Sequence, residues 1–210
     1  MGKVDLEGDG HIQPEIKRTY ESFVDAMRVA AVDVRLTRPL GMDRVPAIHY
    51  GIMGPEASAE HARHPVEHRQ QLEDKIRQML DGGETIPATD YIHAMKLRQE
   101  TRRQWLSVFK EVDLLAIPTV PITAPSLQGE SAITWPDGTE ESVTEALIRW
   151  CVPVNIVGFP ALSIPYGTDA EGQPVGIQLV ARPDEDEFLL TVGQDIMDSA
   201  LGQETSRRTL

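Results

Sequence analysis

Much of what marks the simplest functional classes is missing from the 210-residue sequence. Its one cysteine, Cys151, excludes a disulfide framework and a zinc ribbon. No apolar run approaches the ~20 residues that a membrane-spanning helix needs, so no membrane association is expected. The opening Met1-Gly2-Lys3-Val4-Asp5-Leu6 lacks the apolar segment of a signal peptide, and Leu6 breaks the myristoylation pattern, which points to the cytosol. Basic residues are scarce in the second half. Residues 1–110 carry 16 basic and 17 acidic side chains, whereas residues 111–210 carry 4 and 16, within a net charge of −13. Without a basic stripe to displace phosphate counterions, nucleic-acid binding is not expected, and the acidic surplus reads as a solubility feature. The phosphate-binding glycine motifs are absent too; Gly8-Asp9-Gly10 lacks a third glycine and reads as a turn.

What is present describes a soluble α/β protein. A hydrophobic content of 40% and a charged content of 25% exclude collagen-like, coiled-coil and disordered classes. In residues 14–31, Ile16, Tyr20, Phe23, Val24 and Met27 share one face at helical spacing, after a Pro14 suited to a first helical turn. Val32, Val34 and Leu36 alternate as a short strand. A helical stretch over 56–80, interrupted near Pro65, has Leu72, Ile76, Met79 and Leu80 as its apolar set and is expected to stop at Asp81-Gly82-Gly83. Capped by Thr89 or Asp90, a long helix reaches Glu111, with Ile92, Met95, Leu106 and Phe109 turned to a core. Val112–Ile117 is an apolar strand ending at Pro118, and Pro118, Pro121 and Pro125 keep the next segment extended. Residues 126–142 read as a polar loop around Pro136-Asp137-Gly138, followed by a short helix at 143–150. Two strands, 161–164 and 175–180, return on each other through Asp169–Gly172, and a helix opening on acidic residues covers 185–200.

Residue chemistry alone offers no complete catalytic set. His61, His64 and His68 have a spacing at which helical imidazoles meet a metal, but Pro65 interrupts the helix, so no metal site is expected. Cys151, between Trp150 and Val152, reads as a packing residue rather than a nucleophile. There is no Gly-x-Ser-x-Gly elbow, and Ser163 lies in an apolar strand, a poor setting for an exposed nucleophile. Arg98, Arg102 and Arg103 read as the solvated face of a helix.

From residue 112 the pattern becomes specific. VDLLAIPTVPITAP (112–125) is similar to the strand and Pro-Thr-x-Pro stretch in the C-terminal half of the amidase signature family. PVNIVGFPALSIPYG (153–167), followed by GQPVGIQLVARPDEDEFLL (172–190), resembles that family's closing pattern. An Asn, a Gly-x-Pro-Ala, a strand and a Pro-x-Gly precede Pro-Val-Gly-x-Gln-Leu and an acidic helix start. Glu56–His61 resembles the family's Glu-Ala-Ala-like stretch. The resemblance spans nearly the whole chain but only the family's C-terminal half. It implies the C-terminal part of the amidase signature fold, a mixed β-sheet flanked by helices, over residues 1–210, with the N-terminal catalytic portion absent.

Members of that family hydrolyse or transfer amides with a Ser–cis-Ser–Lys triad housed in a Gly/Ser-rich signature. Nothing in this sequence resembles that signature. The resemblance therefore implies no catalytic residue here, no cofactor, and a chain inactive by itself. It also implies that residues 148–155, with Ile148, Trp150, Cys151 and Asn155, line the acyl side of a substrate site, with Thr119 nearby. Asn155, the sole asparagine, is expected to hold loop backbone through its amide. In the similar A subunit of the tRNA-dependent amidotransferase an Arg and an Asp hold glutamine's charged ends. Arg77 matches that Arg, but the Asp falls near apolar Ile148. An uncharged or apolar amide is thus the expected substrate, bound only together with the missing half; the amidotransferase subunit ranks second, and a non-catalytic binding or assembly module is the competing class. An apolar face left open by the missing half is expected to drive self-association.

Overall fold

The computed structural model describes residues 1–6, 11–38, 41–126, 129 and 131–199. Along the chain run β1 (Gly2–Val4), α1 (Pro14–Val29), β2 (Arg35–Thr37), a 3-10 turn (Met42–Arg44), α2 (Val45–His61), α3 (Val66–Gln70), α4 (Asp74–Glu84) and α5 (Ala88–Val108). They are followed by β3 (Leu115–Pro118), β4 (Ala132–Thr134), β5 (Glu140–Ser142), α6 (Val143–Ile148), α7 (Cys151–Val157), β6 (Ala161–Thr168), β7 (Pro174–Val180) and α8 (Asp186–Asp198). The chain divides into two compact units, Met1–Pro39 with Trp105–Leu210, and Leu40–Gln104. The expected Gly8–Gly10 turn lies outside the described residues.

The first unit is built on a five-stranded sheet in the order β2-β1-β3-β7-β6. Strands β1, β2 and β3 run parallel, and β7 is antiparallel to both β3 and β6, so the sheet is mixed. Helix α1 buries the five residues its spacing marked, Ile16, Tyr20, Phe23, Val24 and Met27. They share one core with Val4, Ala116, Ile164, Val175, Ile177 and Leu179 from the strands, Leu114 just before β3, and Leu189 and Ile196 from α8. Fully buried, the Tyr20 hydroxyl lies 2.7 Å from the Ala116 carbonyl oxygen and 3.1 Å from that of Val4. Its proton is shared between β3 and β1. Burial raises the phenol well above its ordinary pKa, so it stays a neutral donor. Helix α8 crosses β6 at Gly193, where a Cβ would lie 2.3 Å from Leu162 Cδ2.

Several expected elements are corrected. The strand expected over 32–36 is β2, three residues long and later in the chain; Val32 lies before it, and both Val32 and the edge-strand residue Leu36 are exposed. Residues 126–142 are not all loop: β4 and β5 pair as a hairpin, whose turn is closed by the Gly138 amide on the Trp135 carbonyl, 2.9 Å, with Gly138 at φ +84°. Strand β1 has only three residues and shows no periodicity to read. Helix α7, over residues for which no element is expected, contains Pro153. Placed in the first turn, that proline gives up an amide that has no partner within the helix, so α7 tolerates it. Gly158, at φ +67°, ends α7 by donating to the Val154 carbonyl at 3.0 Å.

In the second unit, Gly82-Gly83 does not stop a helix; α4 continues to Glu84. A Cβ on Gly83 would lie 2.2 Å from both the Gly54 carbonyl oxygen and Ser58 Oγ, so glycine is there for backbone-to-backbone approach to α2. Buried Ser58 seals the contact, donating toward the carbonyls of Gly54 at 2.8 Å and Leu80 at 2.7 Å. Helix α5 buries Ala94, Thr101 and Trp105, with the Ala94 Cβ where Gly51 leaves room, while Ile92 and Leu106 are exposed against expectation, as is Ile76 on α4.

The two-strand role of Tyr20 is testable by urea denaturation. Tyr20→Phe is expected to lose about 1–3 kcal/mol at neutral pH. Because the folded-state pKa is raised, the tyrosine contribution is present below the ordinary pKa of about 10 and is lost in stronger alkali. The wild-type margin over the variant should therefore shrink there.

Candidate functional site

The site residues gather where β3 ends. Beyond Pro118 the ladder gains one more bond, from the Thr119 amide to the Gly176 carbonyl, 2.9 Å. Strand alternation puts Ser163, Gly176 and Gln178 on the same face as Thr119. Thr119 Oγ1 and Ser163 Oγ are 2.6 Å apart. They meet above Gly176, where a Cβ would lie 2.6 Å from the threonine oxygen and 2.9 Å from the serine oxygen. Only glycine leaves the hydroxyl pair its place.

The start of α7 is tied to this same row. The Cys151 thiol donates to the Thr119 carbonyl at 3.4 Å, and the buried Gln178 amide donates to the Trp150 carbonyl at 3.2 Å. Burial pushes the Cys151 thiol above its ordinary pKa, so it is a neutral, poorly nucleophilic group.

Of the residues marked in the sequence, Thr119, Trp150 and Cys151 thus come together. Trp150 is buried in the main core, Cys151 and Thr119 are half-buried, and Ile148 is half-buried at the end of α6. Asn155 is exposed, on α7 rather than in a loop. Ser163, Gly176 and Gln178 complete the row and were missed. Ser163 is exposed, although it lies in a strand read as apolar; the signal was its place between Leu162 and Ile164, which period-2 alternation sends to the opposite face.

A second polar cluster invites a triad reading and fails it. His11 Nε2 lies 3.1 Å from Asp137 Oδ2 and 2.9 Å from Thr139 Oγ1. Both partners meet the same ring nitrogen, whereas a triad needs the acid on one nitrogen and the hydroxyl on the other. The cluster instead fastens the β4–β5 hairpin. His11 stacks on Trp135 with centroids 5.2 Å apart, Arg149 lies over the same indole, and the Trp135 ring amide donates to Glu141 at 2.9 Å. Hydrogen bonds from the Thr139 hydroxyl and amide, then from His11, hold the Asp137 carboxyl down to about 2.

The histidines of the 61–68 stretch also meet, with ring centroids 4.8–6.1 Å apart, although Pro65 separates two helices between them.

The site thus belongs to an α/β fold in which a mixed sheet packs against helices and carries a hydroxyl pair over a glycine. The amidase family model matches residues 4–190, and the chain belongs to that family. An amidase of Pseudomonas putida is 31% identical over 183 residues, which are 87% of this chain and 39% of that protein. A fatty acid amide hydrolase of Arabidopsis thaliana is 40% identical over 99 residues, 47% of this chain and 16% of its own length. A crystal structure of an amidase superposes with a TM-score of 0.82 at 26% identity, covering 91% of this chain and 43% of that one. The chain thus spans about two fifths of the amidase it matches most fully among these.

Two outcomes test the geometry. Gly176→Ala should cost about 1–3 kcal/mol by overpacking, measured by thermal or urea unfolding, and less in a Thr119→Ala/Ser163→Ala background. The Asp137 carboxyl, being depressed, stabilises the fold above its ordinary pKa of about 3.9 and stops doing so as pH falls toward about 2. Asp137→Asn should therefore lower the melting temperature at neutral pH and make no difference at about pH 2.

Proposed function

We propose that these 210 residues form the acyl-side wall of an amide hydrolase whose nucleophile and base relay come from residues outside them, and that the chain by itself does not turn over amides. The observation that carries this reading is the row of Thr119, Ser163 and Gly176 with Cys151 against it. It offers hydroxyls, a neutral thiol and an open backbone face, but no base and no activated nucleophile. Ala161, Ser163 and Pro165 on that face are exposed, which suits a surface that packs against further amidase sequence.

The substrate is an uncharged or apolar amide. Ile148 gives no countercharge to an ammonium, and burying that charge unpaired is costly. Arg149 beside it is engaged with Glu141. The amidotransferase-subunit reading needs Arg77 free for a carboxylate, but its guanidinium is held by Asp74 and by the Leu72 carbonyl. The likeness to a fatty acid amide hydrolase supports the apolar choice. Alone, the chain self-associates through exposed apolar side chains such as Leu36 and Leu190.

The purified chain should show no turnover of simple aliphatic amides or of glutamine. A chimera in which this chain replaces the matching region of the Pseudomonas putida amidase should hydrolyse an apolar amide faster than glutamine. Turnover by the isolated chain would sink the inactivity claim, and a chimera that prefers glutamine would overturn the substrate assignment.

A further inference from the structure

A cavity of about 360 Å³ lies in the first unit, among residues that the amidase reading does not use. That volume is within the ~300–1,000 Å³ of small-molecule sites. Met27 from α1, Leu114 from just before β3, and Phe188, Val192 and Ile196 from α8 give it apolar walls. Met27, Leu114 and Ile196 belong to the main core, whereas Val32 and Phe188, which also line the cavity, are exposed. The cavity therefore runs from the core out to solvent.

Its surroundings favour positive charge. Helices α1 and α8 both end here: Met27 and Ala30 come from the last turn and cap of α1, and Asp195, Ile196 and Ser199 from those of α8. Each helix C-terminus acts as about half a negative charge. The carboxylates of Asp113 and Asp195 add to them. Asp195 and Asp198 stand in the last turn of α8, which has no basic residue, although a helix end of this polarity is stabilised by cations. Positive groups nearby are engaged elsewhere or only in part with the cavity. The Met1 ammonium donates to the Asp33 carbonyl at 2.7 Å, Arg28 pairs with Asp25 at 2.7 Å, and Arg182 reaches Oδ1 of Asp113 at 3.2 Å.

We propose that this cavity binds an organic ammonium ion with a short apolar body. The alkyl part covers apolar wall and leaves water, while the ammonium, with three donors and no acceptor, stays at the acidic mouth. A carboxylate of the same length would meet two carboxylates and two helix C-termini of its own sign. An alcohol of that length gains the apolar contact and forgoes the charge.

The test uses the 210-residue chain with its methyl groups labelled for NMR, titrated with hexylammonium, hexan-1-ol and hexanoate. Hexylammonium should bind saturably and shift the methyl signals of Met27, Val32, Val192 and Ile196. It should bind at least about threefold more tightly than hexan-1-ol, as favourable placement at helix ends allows, with hexanoate weakest of the three. Added salt should narrow the gap. Asp195 is exposed, so Asp195→Lys should fold as the wild type does, remove the preference for the cation and leave the affinity for hexan-1-ol unchanged. Should that variant fail to fold, Asp195→Asn should at least halve the preference. The proposal is overturned if hexylammonium does not saturate, if its shifts map to other methyl groups, or if hexan-1-ol or hexanoate binds as tightly. Binding that weakens as protein concentration rises would place a second copy of the chain over the cavity and overturn it too.

Discussion

The phenol of Tyr20 is the point through which the sheet is assembled. Strands β1 and β2 have three residues each, too few for ladder hydrogen bonds alone to hold them in place. A single buried hydroxyl reaches the Val4 carbonyl on one strand and the Ala116 carbonyl on the next, so α1 fixes β1 beside β3 as it docks. Everything downstream inherits that placement. Where β3 lies determines where Thr119 emerges, and Thr119 in turn meets Gly176, Ser163 and the thiol of Cys151. A change in the core next to Tyr20 therefore reaches the site without touching any residue of it.

The parts of the fold that could be read from the sequence were those in which one pattern repeats over several turns or residues. The stripe on α1 is five residues long and packs on one surface, and the β6–β7 return has two alternating strands around a turn. What escaped reading was decided by fit between distant backbones. Gly83 looks like a helix terminator until Gly54 is placed against it, and Ala94 looks like filler until Gly51 leaves it room. Pro65 was legible as a break: it stands just before α3, where its ring costs no helical hydrogen bond.

The candidate site was partly legible. Thr119, Trp150 and Cys151 stand in motifs that survive as strings, and the fold brings them within hydrogen-bond reach of one another or of a shared strand. Ser163 and Gly176 belong to the same row, yet their meaning depends on register: the serine is opposite Gln178 and the glycine opposite Pro165, and only the paired strands bring the serine hydroxyl above the glycine. Asn155, prominent in the string as the sole asparagine, is exposed on α7.

The outer strand of the sheet, β6, has a consequence for how isolated chains meet. Pro165 presents no amide hydrogen, and the pairing with β7 slips between Pro165 and Thr168, so the free margin of β6 is neither straight nor fully armed with donors. The opposite margin, β2, is only three residues long. Neither border can seed an endless ribbon. Addition of a further strand is therefore disfavoured at both margins of the sheet.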